Sequence, residues 1–176
     1  MDEIPVLQGN TKKQRYESLV AALYQDVYRY AFWLRKNQPM AEDRVQETFL
    51  RAWRSLESLH NDKAAKAGLF TILRRENARQ YERYRPELVD IDGQSIAETD
   101  DNEPDSKMDR QLLHNAINRL HSDYREPLLL QVIGGFSGKE IAEILGLNNN
   151  TVMTRLFRAR GKLKVEFGLD KVEIED

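Results

Sequence analysis

Residues 87–109 constrain the fold of this 176-residue chain more than any other stretch. They carry Glu87, Asp90, Asp92, Glu98, Asp100, Asp101, Glu103, Asp105 and Asp109 against Lys107 alone. So little apolar surface cannot offset the entropy of ordering the segment, and like charges keep it extended. The stretch is expected to be a flexible acidic linker over 87–107. The flanks, residues 14–86 and 108–165, must then each fold around a core of their own. The expected fold class is all-α, two small helical domains, with a helix-turn-helix in the C-terminal one.

The first flank reads as three helices. From near Gln14, Leu19, Val20, Leu23, Val27, Tyr30, Ala31 and Leu34 recur at intervals of three and four, an amphipathic helix. Asn37-Gln38-Pro39 ends it. A second helix is expected from near Met40, with Val45, Phe49, Leu50 and Trp53 on its apolar side. Its other side carries Glu42, Asp43, Gln46 and Glu47. Early carboxylates stabilise a helix N-terminus through its dipole, and the same acids would also suit docking to a basic partner. Leu59 to Ala67 reads as a polar loop. A third helix is expected from Gly68, apolar at Leu69, Phe70, Ile72 and Leu73, then basic at Arg74, Arg75, Arg79, Arg83 and Arg85 up to Pro86. Asn77, Tyr81 and Tyr84 interleave with those arginines. Rings stack on unpaired bases and Arg neutralises phosphate, although a solvated helix balanced by Glu76 and Glu82 has the same pattern.

The second flank is expected to open with a helix from Met108 to Leu120 and a leucine-rich one from Tyr124 to Ile133, stopped by Gly134-Gly135. A helix-turn-helix follows. Ser137 and Glu140 form a capping-box pair at its start. Ile141, Ala142, Ile144 and Leu145 supply an inner face, and Gly146 suits the sharp turn. Asn148, Asn149 or Asn150 can cap the next helix, on which Val152, Leu156, Ala159 and Leu163 face inward. Thr151, Thr154, Arg155 and Arg158 are left on the other side, where a groove-reading helix needs short polar groups and Arg. A helical hairpin with a solvated basic face is the plainer alternative.

The charge is segregated even though the net charge is only −2. There is no Cys, hence no disulfide or thiolate site, and His60, His114 and His121 are scattered. No glycine-rich phosphate loop and no paired carboxylates suggest catalysis, so no enzymatic activity and no cofactor are expected. No leader or membrane-length apolar run is evident, which makes the cytoplasm the expected location.

Three segments together resemble the extracytoplasmic-function class of sigma-70 family RNA polymerase sigma factors, over roughly Tyr16 to Lys164. The run from Met40-Ala41-Glu42-Asp43 through Gln46-Glu47-Thr48-Phe49-Leu50-Arg51-Ala52-Trp53 is similar to the family's polymerase-docking stretch. Leu69-Phe70-Thr71-Ile72 with the basic run after it resembles the segment that melts and reads the −10 element. Ser137 to Leu163, with Arg155-Leu156-Phe157-Arg158-Ala159-Arg160, resembles the region that reads the −35 element. The resemblance implies that Glu42, Asp43, Gln46 and Glu47 contact the clamp helices of core RNA polymerase. It implies that the loop His60 to Lys66, with His60, Asn61, Asp62 and Lys63, holds a flipped −10 base. Arg74, Arg75, Asn77, Arg79 and Tyr81 would line −10 DNA. Asn149, Thr151, Thr154, Arg155 and Arg158 would touch the −35 duplex. The leucine-rich helix would help engage the polymerase flap, and an anti-sigma factor would restrain the protein. Met40 and Arg44 stand where the family carries an acid and a Leu, and both are expected to make the docking face less negative. Gly68 stands where a Trp is common, and Arg75 where an Asn is frequent. A stand-alone DNA-binding regulator and a sigma-like protein unable to open promoters are the rival readings.

Overall fold

Thr11 and Gln14 start the first helix by capping each other. The Gln14 amide donates to the Thr11 hydroxyl at 3.2 Å, and the Gln14 side chain accepts from the amides of Asn10 and Thr11 at 3.0 and 3.3 Å. The computed structural model describes residues 5–35, 37–83 and 104–169, without the side chains of 35, 80–83 and 104–106. Among these residues every regular element is helical, and they divide into two compact units. The acidic stretch 87–103, Pro86 and the side chain of Tyr81 lie outside the described residues.

The N-terminal unit packs α1 (Lys12–Arg35), α2 (Gln38–Ser55) and α3 (Asp62–Arg83) together, with one turn of 3₁₀ helix at Leu56–Ser58. Asn37 caps α2 through the Met40 amide at 3.1 Å, and Pro39 sits in the first turn, where a missing N–H costs nothing. Leu19, Leu23, Val27, Tyr30 and Ala31 of α1 are buried, as the spacing requires. They meet Val45 and Phe49 of α2 and Leu69, Phe70 and Leu73 of α3, all buried. Tyr30 and Phe70 lie 5.3 Å apart, and Tyr24 stacks on Phe49 at 6.0 Å. Tyr16 donates to the Phe49 carbonyl at 3.1 Å and meets the edge of Trp53 at 5.0 Å.

Three expectations change here. Leu50 and Trp53 are exposed, and α2 buries Arg44 and Thr48 instead. Helix α3 starts at Asp62, six residues before Gly68, because Asn61 caps it: its side chain accepts from the Ala64 amide at 2.8 Å. Arg44 is turned inward and only 4% exposed, so it does not dilute the charge of the outer face.

The C-terminal unit contains α4 (Pro104–Arg119), α5 (Ser122–Val132), α6 (Gly138–Leu145) and α7 (Asn149–Glu166). Helix α4 begins four residues before Met108, inside the span assigned to the linker. Leu128, Leu129 and Leu130 are buried, so they build the core and do not form a docking surface; Val132 is exposed. Ser137 and Glu140 form both halves of the capping box on α6. Gly146 ends that helix at φ 66°, ψ 34°, a conformation that is costly for residues with a Cβ. Asn148 caps α7 through the Thr151 amide at 3.0 Å. Val152, Leu156 and Ala159 are buried against α5 and α6, while Leu163 is half-buried.

Candidate nucleic-acid interface

The C-terminal unit offers α7 to a partner along a polar face. Thr154 and Arg158 are exposed, and Thr151 and Arg155 are half-buried. With Asn150 they line an open groove whose opposite wall is Asp123 and Tyr124 at the start of α5. Arg155 reaches Asp123 across it at 3.7 Å. Lys162 lies over the Tyr124 ring at 5.4 Å from its centre. Asn149 is exposed on the first turn. Sequence reasoning passed over Met153 and Phe157, which are 51% and 79% exposed. They sit four residues apart and so share one face of α7. The signal was present, since both are large apolar residues off the Val152–Leu156–Ala159 stripe. Apolar groups on a groove-entering helix suit thymine methyls.

In the N-terminal unit the acidic side of α2 is open. Glu42, Asp43 and Gln46 are exposed, and Glu42 accepts from Gln38 at 3.1 Å. Glu47 differs: it is half-buried and pairs with Arg51 at 3.0 Å, and Arg51 also reaches the buried Glu76 of α3 at 2.8 Å. Burial pulls the proton affinity of the Arg44 guanidinium down, while Asp43, Glu76 and Glu47 push it back up. The acidic face is therefore tied from beneath to the basic helix. Burial, and then the Glu42 carboxylate, raise the Tyr28 phenol above its usual range, so it stays neutral beside that face.

Residues 60–66 are less available than their polarity suggests. His60 and Lys63 are exposed. The Asn61 side chain is committed to capping, and the Asp62 carboxylate accepts from the Val6 and Leu7 amides at 3.2 and 3.0 Å. Leu59 is buried, and its methyl lies 3.1 Å from where a Cβ on Gly68 would stand. Any side chain at 68 would press on Leu59, which would have to give by a few tenths of an ångström. On α3, Arg75 and Arg79 are exposed four residues apart, whereas Arg74 and Asn77 are half-buried. Among the described residues no group of His, Asp or Glu is arranged to hold a metal, and no helix is long and apolar enough to cross a membrane.

Comparison with known proteins decides the class. Residues 19–87 match the model for Sigma-70 region 2, and residues 110–163 match that for Sigma-70, region 4. ECF RNA polymerase sigma factor EcfG of Rhodopseudomonas palustris (strain TIE-1) is 36% identical over 146 residues, 82% of this chain and 80% of that protein. The chain belongs to the extracytoplasmic-function sigma factors of the sigma-70 family. It directs promoter-specific transcription initiation. RNA polymerase sigma factor SigV of Bacillus subtilis (strain 168) is 33% identical over 159 residues, 88% of this sigma factor and 95% of the relative. Among solved structures, sigma factor RpoE in complex with the anti-sigma factor NepR, from Bartonella quintana, is 27% identical. Its TM-score is 0.68, over 89% of this chain and 98% of that one. CnrH in complex with the cytosolic domain of CnrY has a TM-score of 0.67 at 26% identity, over 93% and 92% of the two chains.

Proposed function

We propose that this sigma factor splits promoter recognition between two surfaces of opposite character. The exposed acids of α2, Glu42 and Asp43, with Gln46 and the Arg51-bound Glu47, dock on the clamp helices of core RNA polymerase. His60 and Lys63, at the start of α3, hold an unpaired −10 base. Arg75 and Arg79, with Arg74, Asn77 and Tyr81, follow the −10 strand. Thr151, Thr154, Arg155 and Arg158, with Asn149, meet the −35 duplex, and Met153 and Phe157 add apolar contact to thymine. Val132, and not the buried leucines, is the exposed apolar residue that α5 offers to the polymerase flap. Residues 14–86 and, from the start of α4, 104–165 act as the working domains, with the acidic stretch between them as a tether. The chain works by binding, without catalysis of its own, in the cytoplasm. An anti-sigma protein restrains it, by analogy with the partner of the Bartonella relative.

The observation that carries this reading is the polar, arginine-bearing face of α7, held outward by buried Val152, Leu156 and Ala159. Arg155 has the reach to take a guanine edge or a phosphate, and Asp123 orients it. Arg155→Ala is expected to cost about 1–3 kcal/mol of duplex binding and to relax discrimination at one −35 position. Titration of −35 duplexes with each base pair changed in turn is the check. An equal loss on every sequence would assign Arg155 to the backbone instead. The whole reading is tested by run-off transcription with core polymerase on a genomic fragment library. New start sites sharing two upstream elements are expected. DNA binding without transcripts or polymerase recruitment would overturn it.

A further inference from the structure

The segment before α1 is attached to the start of α3. Val6 is only 6% exposed, although it precedes the first helix. Its amide and that of Leu7 donate to separate oxygens of the Asp62 carboxylate, at 3.2 and 3.0 Å, across more than fifty residues of sequence. The Gln8 amide continues the strap onto the Ser18 hydroxyl of α1 at 3.2 Å. From the other side, Arg15 of α1 donates to the Leu59 carbonyl at 3.2 Å, and the Leu59 side chain packs against Gly68. His60 and Asn61 thus lie between two fixed points, Leu59 and Asp62. An ionised carboxylate accepting two backbone amides is a strong and directional anchor.

We propose that Asp62 is a positioning residue for −10 recognition and not a contact to DNA. By gripping the strap at residues 6–7 it fixes the aim of exposed His60 and Lys63, and Arg15 fixes the approach to them. The proposal rests on the reading that these two residues hold an unpaired −10 base. Pre-organised groups discriminate better because the cost of ordering them is met before the ligand arrives. The strap therefore acts on base choice while touching no base.

The test uses the full chain with core polymerase, on promoters that vary only at the −10 base. Val6→Asp removes the apolar anchor and sets a second carboxylate beside Asp62. Leu7→Pro removes one donor without adding charge. Asp62→Ala removes the acceptor. Each is expected to lower discrimination between the preferred and other bases roughly three- to tenfold, the size of coupling expected between contacting groups. Val6→Asp combined with Asp62→Ala should be no worse than the more severe single change. Val6→Asp should leave −35 duplex binding and polymerase affinity unchanged, which loss of fold would not. Multiplicative effects in the double variant, or loss with Asp62→Ala and none with Val6→Asp or Leu7→Pro, would overturn the strap's role. His60→Ala and Lys63→Ala test the underlying reading separately. If neither alters base preference, the base is held elsewhere and the proposal falls with that reading. If either does while the strap variants do not, only the strap's role is lost.

Discussion

Asp43→Arg combined with Gln46→Arg is expected to abolish binding to core polymerase and leave the protein helical. Both side chains are exposed on α2, and Asp43 also bears on the charge of the buried Arg44, so the folded state has to be checked alongside docking. A docking face for a basic coiled coil would gain two cations where it now presents an acid and an amide. Like charges brought together in an interface cost several kcal/mol, so roughly a thousandfold loss is expected. Glu47 is the wrong choice for this experiment. Reversing it would place a cation against Arg51 and disturb Glu76, mixing fold and docking. Affinity for core polymerase by interferometry, with circular dichroism as the control, separates the two. Unchanged affinity in a folded variant would remove the acidic face from the docking assignment.

Glu76→Ala is expected to destabilise the N-terminal unit by about 3 kcal/mol, within the range for breaking a buried ion pair. Glu76 is 6% exposed and faces two cations. Arg51 is 2.8 Å away with a side chain 38% exposed, so water can take over part of its pairing. Arg44 is 4% exposed and would be left with only Asp43 and Glu47 to offset its buried charge. In a unit of this size the loss corresponds to about 12–24 °C in the unfolding midpoint. Arg44→Leu is expected to be nearly neutral or stabilising, since an apolar residue in place of a buried charge avoids desolvation. In that background Glu76→Ala should cost clearly less. Equal costs in both backgrounds would show that Arg44 and Glu76 are not energetically coupled. The pair also lies under the docking face, between Glu47 and the basic helix. Arg44→Leu therefore offers a sigma factor with the same outer acids and an altered support beneath them.

The helix-turn-helix was legible because its signals are local. Ser137 with Glu140, Gly146 and Asn148 each act within one turn of chain, and the structure uses all of them. Thr11 with Gln14 and Asn61 before Ala64 carry the same kind of signal, without an apolar stripe beside it to draw notice. The alanines at 64, 65 and 67 favour a helix, yet they show little apolar periodicity. Periodicity alone therefore predicts a loop here and places the start of α3 six residues too late.

Local signals suffice for the helical class, for the caps and turn of the second unit's helix-turn-helix, and for the polar face of α7. These follow from spacings of three and four residues and from single caps, whose energies depend on near neighbours. Which polar residues stay available to a partner depends instead on long-range packing. The charge of the buried Arg44 is supported by Asp43 and Glu47 of its own helix and by Glu76 from another. The half-buried Asp62 carboxylate accepts from the amides of Val6 and Leu7, which reach it from a segment more than fifty residues away in sequence. The leucines of α5 are core because α6 and α7 cover them. A charge or a hydrogen-bonding group has no fixed cost or role in a sequence. Its role is set by the partner and the dielectric that folding brings to it, and those come from residues distant in the chain.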